Sequence, residues 1–278
     1  MTSRRRAATA PAALTCGAAL LVGIACTGGA AAAGDSDGGE GDLAHKSAQQ
    51  ISDDALHQLV AAQSLRLRTR TSTDPTTLDL TLDRAGNCTG AVAKGSLGRI
   101  ELVKRGNEVW MKPNAAFWKS QLPGDKGDRA AAKYKDTYLH GTTRNAFLRG
   151  LSAACDLRAF QKSAAGPDKG QQPPSGAPSP SVTPTLTKGQ PTTQDGTRVL
   201  PVTKKVDGAV QTLYVAIDGK HYPRKLTAEA DHQSATILLS NYGTPVSDRT
   251  PPPSRTADIS ALDDLMRGSQ GQQDTQTA

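Results

Sequence analysis

Leucines occupy every second position in two neighbouring stretches of the chain. Leu65 and Leu67 alternate with Arg66 and Arg68, and Leu78, Leu80 and Leu82 alternate with Asp79, Thr81 and Asp83. Successive side chains of an extended strand point to opposite faces, so this pattern describes strands with one apolar and one wetted face. Half-buried antiparallel strands carry that signature. It recurs downstream with turn residues between the runs. Ile100 to Val103 and Glu108 to Lys112 flank Arg105, Gly106 and Asn107; Leu200 to Val206 and Val210 to Ile217 flank Asp207 and Gly208. Asp218 and Gly219 lead to a strand around Tyr222 and Leu226, and Ala235 to Asn241 supplies another. The sequence therefore predicts a long meander of hairpins.

Helical spacing interrupts the meander. Ser52 is placed to cap a helix over 47–63 in which Leu56, Leu59, Val60 and Gln63 recur, and Phe147, Leu148, Leu151 and Leu157 predict a second over 144–159. The fold class is α+β: a curved antiparallel β-sheet covered by a few α-helices.

The ends of the chain read differently. Arg4, Arg5 and Arg6 precede an uncharged run from Ala7 to Cys26, the form of an export signal. Val22-Gly23-Ile24-Ala25-Cys26 resembles a bacterial lipobox, which makes Cys26 the lipid anchor and residues 1–26 the lipoprotein signal; an ordinary signal cleaved in the Ala30 to Ala33 run is the alternative, giving a secreted protein. Residues 27–46 read as a flexible tether, 47–250 as the folded domain, 163–197 as a Pro-rich disordered insertion within it, and 251–278 as a flexible tail. With Cys16 and Cys26 in the signal, Cys88 and Cys155 are the two thiols of the exported part. An even pair outside the cytoplasm reads as a disulfide.

Composition excludes several functions. The net charge of +7 includes three signal arginines, and no Lys/Arg block is present, so nucleic-acid binding is not expected. There is no Gly-rich phosphate loop and no His pair at helical spacing, so the chain reads as non-enzymatic, without cofactor or metal. His45, His57, His140, His221 and His232 are isolated and read as surface histidines.

Gly86-Asn87-Cys88-Thr89-Gly90, Arg99-Ile100-Glu101-Leu102-Val103, Val109-Trp110-Met111-Lys112-Pro113 with Ala116-Phe117-Trp118, Leu213-Tyr214-Val215-Ala216 and Ser240-Asn241-Tyr242-Gly243-Thr244-Pro245-Val246 together resemble the LppX/LprAFG-type bacterial lipoproteins. The resemblance covers roughly 47–250 apart from the insertion. It implies a half-barrel sheet wrapped on helices, related to the LolA/LolB-type lipoprotein carriers, with an apolar cavity that binds or carries an acylated lipid or glycolipid. The strand interior, supplied by Leu65, Leu67, Leu78, Leu80, Leu82, Ile100, Leu102, Leu213, Val215 and Ile217, would line the cavity or simply pack the core. Trp110, Phe117 and Trp118 are expected to cluster, either as its rim or as a secondary core. The partners expected are the membrane, through the lipid on Cys26, and a lipid ligand, for a monomer on the outer face of the cell membrane. The alternative is a non-catalytic envelope interaction or stress module with a closed core. Replacing Cys26 by Ala should move the protein from the membrane fraction to the medium or leave an uncleaved precursor, as read by fractionation, because two or three acyl chains anchor almost irreversibly while one holds only marginally.

Overall fold

The computed structural model describes residues 40–165, 185–206 and 208–270. The expected signal with the expected anchor Cys26, the first part of the span read as a tether, the centre of the Pro-rich insertion and the extreme C-terminus lie outside these residues. Two helices, α1 (Glu40–His45) and α2 (Ala48–Ala61), lead into β1 (Ser64–Thr71), β2 (Thr76–Asp83), β3 (Cys88–Lys94), β4 (Arg99–Arg105) and β5 (Glu108–Pro113). Helices α3 (Ala115–Gln121) and α4 (Asp125–Lys133), strand β6 (Tyr138–Thr142), and helices α5 (Ala146–Ser152) and α6 (Leu157–Ala165) complete the first half. The second half holds β7 (Thr185–Lys188), β8 (Thr192–Gln194), β9 (Thr197–Val206), β10 (Ala209–Ala216), β11 (Pro223–Ala230), β12 (Gln233–Ser240), β13 (Thr256–Asp258) and α7 (Ser260–Gln270).

All thirteen strands belong to one curved, unclosed sheet, ordered β13-β6-β5-β4-β3-β2-β1-β12-β11-β10-β9-β7, with β8 also paired to β9. Every pairing is antiparallel except the short β13–β6 ladder. Two meanders meet where β1 pairs with β12, Arg66 opposite Ser240 through Thr71 opposite Ala235. The alternation works as read: Leu65, Leu67, Leu80 and Leu82 are buried on the helix-covered face, while Arg66 and Asp79 meet on the outer face in a bidentate pair at 2.7 and 2.8 Å.

Two apolar cores form on the covered face. The larger joins Leu59, Leu65, Leu80, Leu82, Leu102, Met111, Trp118, Leu139, Leu148 and Leu157 with residues around them. The smaller packs Leu43, Ile51 and Ala55 against Leu200, Val202, Leu213, Val215 and Ile217. Helix α2 belongs to both, through Leu59 at one end and Ile51 and Ala55 at the other. The buried Gln161 amide of α6 donates to the Leu59 and Ala62 carbonyls at 2.9 and 2.8 Å, closing the C-terminus of α2 where intrahelical partners run out.

The structure corrects several boundaries. Ser47, not Ser52, caps α2: its hydroxyl accepts from the Gln50 amide and the Gln50 side chain accepts from the Ser47 amide, a complete capping box. The helix expected over 144–159 breaks into α5, a short 3-10 turn (Ala153–Cys155) and α6. Part of the span read as a tether is ordered, because 40–45 is helical and Leu43 is buried. Part of the span read as a disordered insertion is ordered too, since α6 runs to Ala165 and β7 and β8 lie within it. The first part of the span read as a flexible tail belongs to the fold: Ile259 and Leu262 enter the larger core. Gly141 makes room for it, since a Cβ there would lie 2.6 Å from Ile259 Cγ2 and 2.9 Å from Leu148 Cδ1.

Cys88 and Cys155 form a disulfide with their Cα atoms 5.5 Å apart, tying β3 to the turn between α5 and α6. The double Cys88→Ala/Cys155→Ala variant should lose about 2–5 kcal/mol of unfolding free energy, measured by denaturant titration.

Candidate hydrophobic ligand site

One cross-strand row of the covered face passes between the two cores. Ile100 on β4 stands opposite Val92 on β3, Val92 opposite Leu78 on β2, and Leu78 opposite Thr69 on β1. Across the junction Thr69 faces Ile237 on β12, Ile237 faces Leu226 on β11, Leu226 faces Leu213 on β10, and Leu213 faces Val202 on β9. Side chains directly opposite on neighbouring strands touch, so the row is a continuous apolar stripe with one hydroxyl at its centre.

The stripe is buried at its ends and open in its middle. Ile100, Leu213 and Val202 are buried, whereas Val92, Leu78, Thr69, Ile237 and Leu226 remain half-buried. Leu78 and Ile237 pack on the rim of the larger core, as does Leu56 of α2, also half-buried, and Leu226 packs on that of the smaller. The local cause is α2 itself. Its i, i+4 positions Ile51, Ala55 and Leu59 press into the cores, and Leu56 is turned off that line. An apolar surface that the helices do not fully cover can accept further methylene groups and very little else, since Thr69 is the single hydrogen-bonding side chain in the row.

The residues expected to line a cavity divide three ways. Leu80, Leu102, Phe117 and Trp118 are sealed in the larger core and Val215 in the smaller. Ile100 and Leu213 flank the open stripe. Trp110 lies on the opposite, outer face. The expected cluster of Trp110 with Phe117 and Trp118 does not form, because Val109 and Met111 take the core side of β5 and leave Trp110 outside. His140, its cross-strand partner on β6, covers it instead, with ring centroids 4.6 Å apart and planes 18° from parallel. His140 Nε2 in turn meets Glu108 Oε2 at 2.5 Å. Trp118 packs between Phe117, edge-on at 5.6 Å, and Tyr134, stacked at 5.3 Å.

Several other polar groups are internally paired. The Arg66 guanidinium holds the Asp79 carboxyl below its ordinary range, and Glu101 beside Lys112, 3.0 Å away, raises the ammonium. Tyr242 stacks on Tyr222 at 4.0 Å and donates from its hydroxyl to the Pro223 carbonyl at 2.6 Å; desolvation raises the phenol. A depression of about 380 Å³ at the ends of the β9–β10 and β11–β12 hairpins is lined partly by Glu229, Asp231 and His232, which suits water better than acyl chains. Among the described residues no group of three or more His, Cys, Asp or Glu gathers to hold a metal.

Sequence reading missed one polar joint. His221 is buried, not at the surface: Nδ1 lies 3.1 Å from the Ala216 carbonyl, and Nε2 lies 3.1 Å from Asp42 of α1. Lys188 of β7 donates to the Leu43, Ala44 and Lys46 carbonyls at 3.2, 2.7 and 3.1 Å. Apart from Ala216, these partners are 142 to 179 residues apart in sequence, so no local pattern announces them.

No family model and no curated protein matches the chain. Among solved structures it is similar to LprF from Mycobacterium bovis, at 15% identity over 73% of this chain and 96% of that one, with a TM-score of 0.47. The Mycobacterium tuberculosis lipoprotein LppX matches at 12% identity over 72% and 97%, with a TM-score of 0.42. The LolA superfamily protein NE2245 from Nitrosomonas europaea matches at 10% over 74% and 96%, with a TM-score of 0.20. At these values the likeness assigns neither ligand nor activity.

The sealed and open positions should respond differently to truncation. Leu80→Ala should cost about 2–5 kcal/mol of stability, and Ile237→Ala, from a half-buried site, about 1 kcal/mol, both measured by denaturant unfolding.

Proposed function

We propose that the chain is an exported lipoprotein of the LppX/LprAFG type, anchored through Cys26 on the outer face of the membrane, that holds an acyl chain or acylated glycolipid along the stripe Val92–Leu78–Thr69–Ile237–Leu226. The observation that carries this reading is the stripe's placement: continuous across five strands, apolar, and left half-buried between two packed cores. A folded domain ordinarily spends such residues on its own core. Here the helices press on either side of them. The resemblance in sequence order and the lipobox-like segment support the same reading. No helix among the described residues is long and apolar enough to cross a membrane.

The protein acts on its ligand by binding alone. Each methylene laid along the stripe contributes about 0.8 kcal/mol, and a glycolipid headgroup would stay in water, since the stripe offers it no charged partner. The second reading, an interaction module with a closed core, draws on the sealing of Leu80, Leu102, Trp118 and Val215. Solvent extraction of the protein purified from its envelope, followed by mass spectrometry, separates the two. The carrier reading expects stoichiometric acylated lipid, lost in an Ile237→Lys/Leu78→Lys variant that still folds. Lipid-free protein that also takes up no added fatty acid would leave the closed module.

A further inference from the structure

Among the described residues only two large apolar side chains are exposed, Leu97 at 47% and Phe147 at 39%. Isolated exposed leucines are unremarkable on any protein, but these two flank one residue, Phe117. The Phe147 ring meets Phe117 edge-on at 6.3 Å. On the other side, a Cβ at Gly98, next to Leu97, would lie 2.3 Å from the Phe117 backbone nitrogen, and the Ser120 hydroxyl donates to the Leu97 carbonyl at 2.8 Å. The short turn Gly95–Leu97, α3 and α5 thus present one apolar ridge.

The exposed charge next to the three ridge residues in sequence is positive. Lys94 and Arg99 bracket Leu97, Lys119 follows Phe117 on α3, and Arg144 and Arg149 bracket Phe147; all five are exposed. The acidic groups near them are Asp74, which faces Lys94, Asp79, which faces Arg99 and is itself held by Arg66, Asp128, paired with Lys119 at 2.7 Å, and Asp263, which accepts from Asn145 at 3.0 Å. The segment 115–165 holds nine Lys and Arg against four Asp. That segment therefore carries most of the positive excess of the described residues.

We propose that the ridge of Leu97, Phe117 and Phe147 docks on an anionic lipid bilayer, the two exposed side chains entering the interface while Lys94, Arg99, Lys119, Arg144 and Arg149 meet the headgroups. An apolar pair ringed by cations fits such a surface on both counts: burial of the side chains in the acyl boundary and attraction of the cations to the negative leaflet. An acidic protein surface would satisfy the cations but has no need of two protruding hydrophobes. The docking is independent of the acyl chain on Cys26 and of any ligand in the stripe.

The test uses the chain from residue 27 to 278, oxidised so that Cys88–Cys155 is formed, sedimented with phosphatidylcholine vesicles containing or lacking phosphatidylglycerol. Binding is expected to the anionic vesicles, weakened by salt, and reduced about tenfold by Leu97→Ser/Phe147→Ser, the order of loss for withdrawing two half-exposed apolar side chains. Because both positions are exposed, the variant should keep its melting temperature and its uptake of a fluorescent fatty acid. Equal binding by the variant, no preference for anionic vesicles, or no binding at all would overturn the docking surface. Fatty-acid uptake is read in the same samples, so a protein that takes up the probe but ignores vesicles refutes the docking and leaves the carrier reading standing.

Discussion

The antiparallel pairing of β1 with β12 is the contact on which the rest of the structure depends. It brings 66–71 against 235–240 and makes one sheet of two meanders that would otherwise each carry an open edge. Such pairing is entropically slow to form because nearly the whole chain must close before it is made. Once made, it sets Thr69 opposite Ile237 and so aligns the apolar residues of both halves in a single row. A register slip of one residue would turn Ile237 and Leu239 to the outer face and put Leu238 inside, destroying the row and the larger core together.

Helix α2 makes the second connection. It lies over both cores, is capped at its start by Ser47 and Gln50, and is closed at its end by Gln161. Its burial into two separate clusters leaves the strip between them incompletely covered. Stability and the candidate function therefore share one cause: the same geometry that seals Leu80 and Val215 keeps Leu78, Ile237 and Leu226 half-open.

Much of this was legible in the sequence because period two is a local signal. The leucines of β1 and β2 and the β4–β5 and β9–β10 hairpins could be placed on their faces directly, as could Trp110 on the side away from Val109 and Met111. Strand β3, whose Gly90, Ala91 and Ala93 give weak contrast, and β6, with Gly141 at its centre, carry little such signal. What covers a face is a tertiary matter. Trp110 is covered by His140 from a strand thirty residues away, not by its neighbours Phe117 and Trp118. The tail reads as polar with four apolar residues, and only the space at Gly141 shows why Ile259 and Leu262 dock. For the same reason a list of apolar strand positions could not separate the sealed residues from the open ones, since Leu78 and Leu80 differ only in what stands above them.

The most direct test of the account is nuclear magnetic resonance of methyl-labelled protein titrated with a spin-labelled stearate. Placement of the acyl chain along the stripe predicts selective broadening of the Val92, Leu78, Ile237 and Leu226 methyls, with Val215 of the smaller core and Leu238 on the outer face unaffected. Broadening confined to the outer face, or none at saturating stearate, would contradict it.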